Sequence, residues 1–226
     1  MTGAGDEPSE DAGVAAPMPM FPLGSVLFPN MLLPLHIFEP RYQALVKDCL
    51  RHGQEFGVVL IERGAEVGGG DTRFRVGTVA HIREAAELGG GRWAVVAVGT
   101  RRLRIRSWLP DDPYPVALVE DLAEVRLPPA AGMARSALVE AETAVRRALA
   151  LAAEVGEAPV PSTFALVADP DVAVWQLAAS APLGPVDQLR VLEVDDPVQR
   201  LLLIAALAGE ASQVLAYRLS GGATGP

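Results

Sequence analysis

The pair Pro128-Pro129 divides this 226-residue chain into two stretches with different hydrophobic periods, and that change restricts the fold more than any single motif does. Upstream, apolar runs are short and bounded by glycine and proline, as strands and turns require. Downstream, Met133, Ala137, Leu138, Ala141, Val145, Ala148, Leu149 and Ala152 recur at helical spacing in a background of Ala, Leu, Val, Glu and Arg. Strands gathered first and helices second predict an α+β chain: a partly closed β-barrel with one inserted helix, then a C-terminal helical bundle. The expected boundaries are a disordered acidic tail over 1–17, the barrel over 18–127, the bundle over 128–219 and a flexible tail over 220–226.

Within the strand-rich part, Met20 to Leu23 and Met31 to Phe38 read as two strands joined through a turn at Gly24, Pro29 and Asn30. Pro22, Pro29 and Pro34 confine them to an edge, a strand start or a bulge. A helix starts at Glu39-Pro40, where proline's missing donor costs nothing, and stops at Gly53. Its Tyr42, Leu45, Val46, Cys49 and Leu50 form one apolar stripe. Phe56 to Ile61 is a strand, Gly64 to Gly70 a glycine-rich loop, and Phe74 to Glu84 pairs with Arg92 to Val98 across Gly89-Gly90-Gly91. Arg101 to Leu109 and Tyr114 to Val125 complete about seven strands. Further on, Phe164 to Val167 reads as a helical turn, Asp169-Pro170 opens a helix to Ala179, and Val186 to Glu193 forms another. Asp195-Asp196-Pro197 caps a last helix to about Arg218.

The formal net charge of −9 opposes nonspecific association with nucleic acid, which depends on neutralising phosphates. Cys49 is the only cysteine, so neither an intrachain disulfide nor a thiolate metal cage is available. A single lysine, Lys47, lies outside any G-x-x-x-x-G-K-[ST] phosphate loop and lacks a positioned serine nucleophile for a serine–lysine protease centre. No uninterrupted apolar run reaches the ~20 residues of a membrane span. The opening MTGAGDEPSEDAGVAAP lacks the positive start and apolar centre of a secretory signal. A cytoplasmic chain with no membrane association, no cofactor, no metal and no catalytic residues is expected.

Three groups of side chains remain as candidates. His36, His52 and His81 lack paired metal-ligand spacing; Cys49 and His52 share a helix face but have no further ligands, so structural roles stand beside the metal reading. Arg101, Arg102, Arg104 and Arg106 form a basic patch, alternating with Leu103 and Ile105. They are either an RNA contact or a solvated face paired to Glu120, Asp121 and Glu124. His36, Phe38, Glu39, Arg41 and Tyr42 mark a strand–helix junction. There Phe38 and Tyr42 staple the helix to the sheet, or the five residues wall a groove for exposed apolar peptide segments, and the two readings are compatible.

The run PLGSVLFPNMLLPLHIFEPRYQALVKDCL, followed by FGVVLI, VGTVAHI and G-x-R-R-L-R-I, resembles the N-terminal substrate-binding domain of the Lon protease family. The likeness extends from about Met18 to Leu219 and includes PLGPVDQLRVLEVDDPVQRLLL from Pro182 to Leu203. It implies a PUA-like barrel followed by helices, in a short stand-alone bacterial form without the ATPase and peptidase domains. It further implies a non-catalytic protein-quality-control module that binds unfolded or degron-like polypeptide and works beside a protease or chaperone. RNA or small-molecule binding through the barrel and its arginine row is the alternative.

Overall fold

Among the described residues, short β-branched and aromatic runs separated by turn residues produce six strands, and the longer 3.6-period runs produce five helices. The computed structural model describes residues 15–63, 72–128 and 132–221. The strands are β1 (Ala16–Leu23), β2 (Leu32–Ile37), β3 (Glu55–Arg63), β4 (Thr72–Glu87), β5 (Trp93–Trp108) and β6 (Val116–Asp121). They form one mixed sheet of order β2-β5-β4-β3-β1-β6, with β6 also paired to β5. The β1–β3 pair is parallel, and the other pairings are antiparallel. The length of β5 makes this possible: residues 93–98 pair with β2, and residues 103–108 pair with β6. Among the described residues β2 has a single neighbour in the sheet, β5, and its other edge is unpaired.

The helices are α1 (Pro40–Arg51), α2 (Gly132–Glu154), α3 (Pro170–Ser180), α4 (Pro185–Glu193) and α5 (Pro197–Gly221). Their starts follow local chemistry. Proline occupies the first turn of α1, α3 and α4, where its absent N–H is no loss. The Asp169 carboxylate accepts from the backbone N–H groups of Asp171 and Val172, and Asp196 does the same for Val198 and Gln199. Helix α1 ends as expected, with Gly53 at φ 108.

Several expectations need correction. The first two apolar runs are not a paired hairpin: β1 pairs with β3 and β6, whereas β2 pairs with β5. The runs 92–98 and 101–109 are one strand; Thr100 falls in a register shift, and that single extra residue exchanges the two faces of β5 part-way along. Strand β1 begins at Ala16, inside the segment expected to be a tail. Residues 164–167 are not helical. Arg146 holds this segment by donating to the Ser162 and Phe164 carbonyls, and Gln176 holds it through Ala165 and Val167. Met133, placed on the α2 stripe, is 73% exposed, and Ala134 is buried there instead. The glycine-rich loop 64–70, the first fourteen residues and residues 222–226 lie outside the described residues.

Packing ties the strand and helix parts together. One apolar cluster joins Phe28, Leu60, Val76 and Leu127 to the inner faces of α2, α3, α4 and α5, with Phe28 and Trp175 stacked at 5.8 Å between ring centroids. A second sets the α1 stripe of Tyr42, Leu45, Val46 and Cys49 on Phe21, Phe56, Ile82 and Val95. A third packs Met20, Val59, Val79, Leu103, Ile105, Ala117 and Val119. Helix α5 is long and apolar enough to cross a bilayer by length and composition, but Leu201, Ile204, Leu207 and Ala208 are spent in the shared core.

Burial of α1 has a measurable consequence. Cys49 is 3% exposed, donates to the Glu55 carbonyl at 3.3 Å, and has its thiol pushed up to about 12 by burial and then by the Asp48 charge. A thiol reagent at pH 8 is expected to label the native protein about 10³-fold more slowly than the urea-unfolded chain. Equal rates would remove Cys49 from the core. Since folding raises this pKa above the ordinary 9.0, the native state holds the proton more tightly. The stability this confers is complete below pH 9 and is lost as pH rises towards about 12.

Candidate functional site

Strand register shows which side chains share a face. Leu33, Leu35 and Ile37 pair with Ala97, Val95 and Trp93, and these residues face α1 and its cluster. Leu32, Pro34 and His36 pair with Val98, Val96 and Ala94, so they form the opposite face of the same two strands. Leu32, Pro34 and His36 are exposed and Val98, Val96 and Ala94 are half-buried. Leu32 is 69% exposed, a large apolar surface for one strand residue to leave in water. Phe38, just past the strand, is 58% exposed. The result is an apolar strip two strands wide, beside the unpaired edge of β2.

At one end of this strip lies a cleft of about 210 Å³. Of the groove residues expected from sequence, His36, Phe38, Glu39 and Tyr42 line it together with Phe21, Leu23 and Ile37. Arg41 does not line it; its Nε donates to Glu39 Oε2 at 3.1 Å, and its guanidinium lies 4.5 Å from the Tyr42 ring centroid. The proposed Phe38–Tyr42 staple is replaced by another pair. Tyr42 is 3% exposed and stacks on Phe21 at 4.2 Å, which leaves Phe38 facing solvent.

The arginine row does not act as a unit. Arg101 pairs bidentately with Glu55 at 2.8 and 2.9 Å and with Asp121 at 2.7 Å. The hydrogen bonds from these carboxylates raise its pKa. Arg104 and Arg106 both engage Glu120. Arg102 is fully buried, because the shift at Thr100 turns its face towards the helices. It donates to Glu124, to Asp195 and to the carbonyls of Ala123, Leu192 and Val194. Arg200, 1% exposed, approaches the same junction, bonding Glu124 at 3.0 Å and the Val194 carbonyl at 2.7 Å, with its guanidinium 3.8 Å from the Trp175 ring centroid. Burial pulls its pKa down to about 10. Arg102 and Arg200 therefore fasten sheet to helices, and charge alternation in the sequence carries no sign of that.

The histidines also separate. His36 and His81 lie on the outer sheet face, His52 Nδ1 lies 3.0 Å from the Asp48 carbonyl, and Cys49 turns inward. Among the described residues no group of three or more His, Cys, Asp and Glu side chains is placed to hold a metal ion.

Among the described residues, the strip is an apolar face at an open strand edge, with α1 packed on the opposite face of the same two strands. A family model for the ATP-dependent protease La (LON) substrate-binding domain matches residues 17–208, and the chain belongs to that family. Lon protease 2 of Sorangium cellulosum is 28% identical over 219 residues, covering 92% of this chain and 26% of that protein. Lon protease of Anaeromyxobacter dehalogenans is 33% identical over 109 residues, 47% of this chain and 13% of that protein. The chain thus spans about a quarter or less of the length of these curated relatives. The crystal structure of a Lon N-terminal domain protein from Xanthomonas campestris superposes with TM-score 0.60 at 29% identity, covering 84% of this chain and 98% of that one. The N-terminal domain of a Mycobacterium avium complex Lon protease, 17% identical with TM-score 0.61, shares the fold.

Proposed function

We propose that this chain is a non-catalytic, cytoplasmic module that holds unfolded or degron-like polypeptide on the outer face of β2 and β5, with the strands acting as a PUA-like barrel. The observation that carries the reading is the strip Leu32, Pro34, Val96 and Val98, apolar yet uncovered, next to a strand edge with unspent backbone groups. A flexible segment laid along β2 gains main-chain hydrogen bonds from the edge and apolar burial from the strip. Pro34 removes one donor, which keeps the edge from pairing indiscriminately. Ordering the segment offsets much of the gain, so a dissociation constant on the order of micromolar is expected. A protease or chaperone is the natural recipient of what is held.

Binding of fluorescein-labelled reduced, alkylated lysozyme, followed by anisotropy, tests this. Val96→Glu places a charge at the centre of the strip on a half-buried residue and is expected to weaken binding about tenfold or more. Binding of folded lysozyme as tight as that of the unfolded form, or an unaltered affinity in Val96→Glu, would refute the reading. RNA recognition through the arginine row is less favoured, because Arg101, Arg102, Arg104 and Arg106 are each already engaged by carboxylates and Arg102 is out of reach of any ligand.

A further inference from the structure

The helical part carries a larger cleft that the strand face does not explain. It lies where the end of α2, the α3–α4 connection and the last turns of α5 meet, and has a volume of about 530 Å³. Its floor is apolar, from Leu183, Leu207, Ala211 and Leu215, and Gln188 adds an amide. We infer that this cleft is a second docking site, taking a partner protein through apolar side chains flanked by lysine or arginine.

Two features identify the occupant. The first is the apolar rim. Val214 lines the mouth and is 59% exposed, and Tyr217, three residues further along the same helix, is 78% exposed. A pocket for a small metabolite encloses its ligand, whereas large apolar side chains left in water around an open cleft match the anchors of a protein contact, where tyrosine is favoured.

The second feature is charge. The lining contains Glu157, Asp187 and Glu210 against Arg218. Arg218 is already consumed by Glu157, through a bidentate pair at 2.8 and 2.7 Å that fastens the end of α5 to the loop after α2. Asp187 is held by Arg190 on its own helix at 2.8 Å. Glu210 has no ion pair among the described residues. The uncompensated charge at the mouth is negative, on a chain of net charge −9, so a basic partner is attracted and an acidic one repelled.

The probes are a fluorescein-labelled amphipathic peptide of leucine and lysine and its counterpart with glutamate in place of lysine, measured by anisotropy against the full chain. The lysine peptide is expected to bind, more weakly as salt rises, and the glutamate peptide to bind at least about tenfold less well. Glu210→Lys, which reverses the rim charge, and Ala211→Trp, which fills the cleft, are each expected to weaken the lysine peptide about tenfold, while Val96→Glu leaves it unchanged. Glu210 is exposed, so Glu210→Lys carries the test alone if Ala211→Trp does not fold by circular dichroism. The inference is overturned if the unsubstituted chain fails to bind the lysine peptide or binds both peptides equally. It is also overturned if Glu210→Lys leaves the affinity unaltered, or if Val96→Glu abolishes the binding. These outcomes are independent of the lysozyme experiment, since Glu210 and Ala211 lie outside the strand face.

Discussion

Arg102→Ala is expected to lower the free energy of unfolding by about 3–5 kcal/mol, the upper end of the range for a substitution that leaves several buried acceptors unsatisfied and opens a cavity. The side chain is fully buried and donates to carbonyls at 123, 192 and 194 and to the carboxylates of Glu124 and Asp195. Solvent screens the two carboxylates, which are 40% and 66% exposed, so most of the loss comes from the orphaned carbonyls and the void left between sheet and helices. Lysine is no substitute, because a point charge cannot satisfy acceptors arranged around a planar fork. Arg104→Ala and Arg106→Ala, at 43% and 56% exposure, are expected to cost about 0–1 kcal/mol each. Urea denaturation of the three variants separates the cases. Equal costs for all three would mean that Arg102 does not fasten the two parts.

Gly77→Ala is expected to destabilise by about 3 kcal/mol, an unusual cost for one added methyl. A Cβ at this position in β4 would stand 2.1 Å from the carbonyl oxygen of Val58 in the neighbouring strand. That atom is backbone, held by the β3–β4 ladder, so no side-chain rotation relieves the overlap and the strands must part. Gly57→Ala provides the control. Its Cβ meets the end of the Met20 side chain, which is flexible, and a smaller loss is expected. A Gly77→Ala variant melting at the temperature of the unsubstituted protein would show that the two strands are not packed as closely as described.

The parts of this fold that were legible in the sequence are those whose cause is local. The α1 stripe, the Pro40 start and the Gly53 stop need only the residues they contain, as do the carboxylate caps at Asp169 and Asp196. The β4–β5 hairpin was equally readable from its glycine turn. The pairing of the first two strands was not, because each prefers partners brought by later chain: β1 takes β3 in parallel, and β2 takes β5. The candidate face was half legible. MLLPLHIF is apolar at both parities of a strand, which signals either burial on two sides or an uncovered apolar face, and sequence does not choose between them. The groove residues His36, Phe38, Glu39 and Tyr42 line one cleft, but Val96 and Val98, which complete the apolar strip, lie some sixty residues on, where the local pattern signals a hairpin strand and nothing more.

The sequence by itself determined the division into strands and helices, the ends of the helices, the single buried thiol and the membership of a substrate-binding family. Tertiary structure alone decided the fates of chemically identical side chains. Arg102 and Arg104 stand two residues apart on one strand, yet the first is sealed against the Leu192 carbonyl 90 residues away and the second is 43% exposed. Side-chain direction is a local property of the backbone, whereas what covers that direction depends on where distant segments of the chain come to rest.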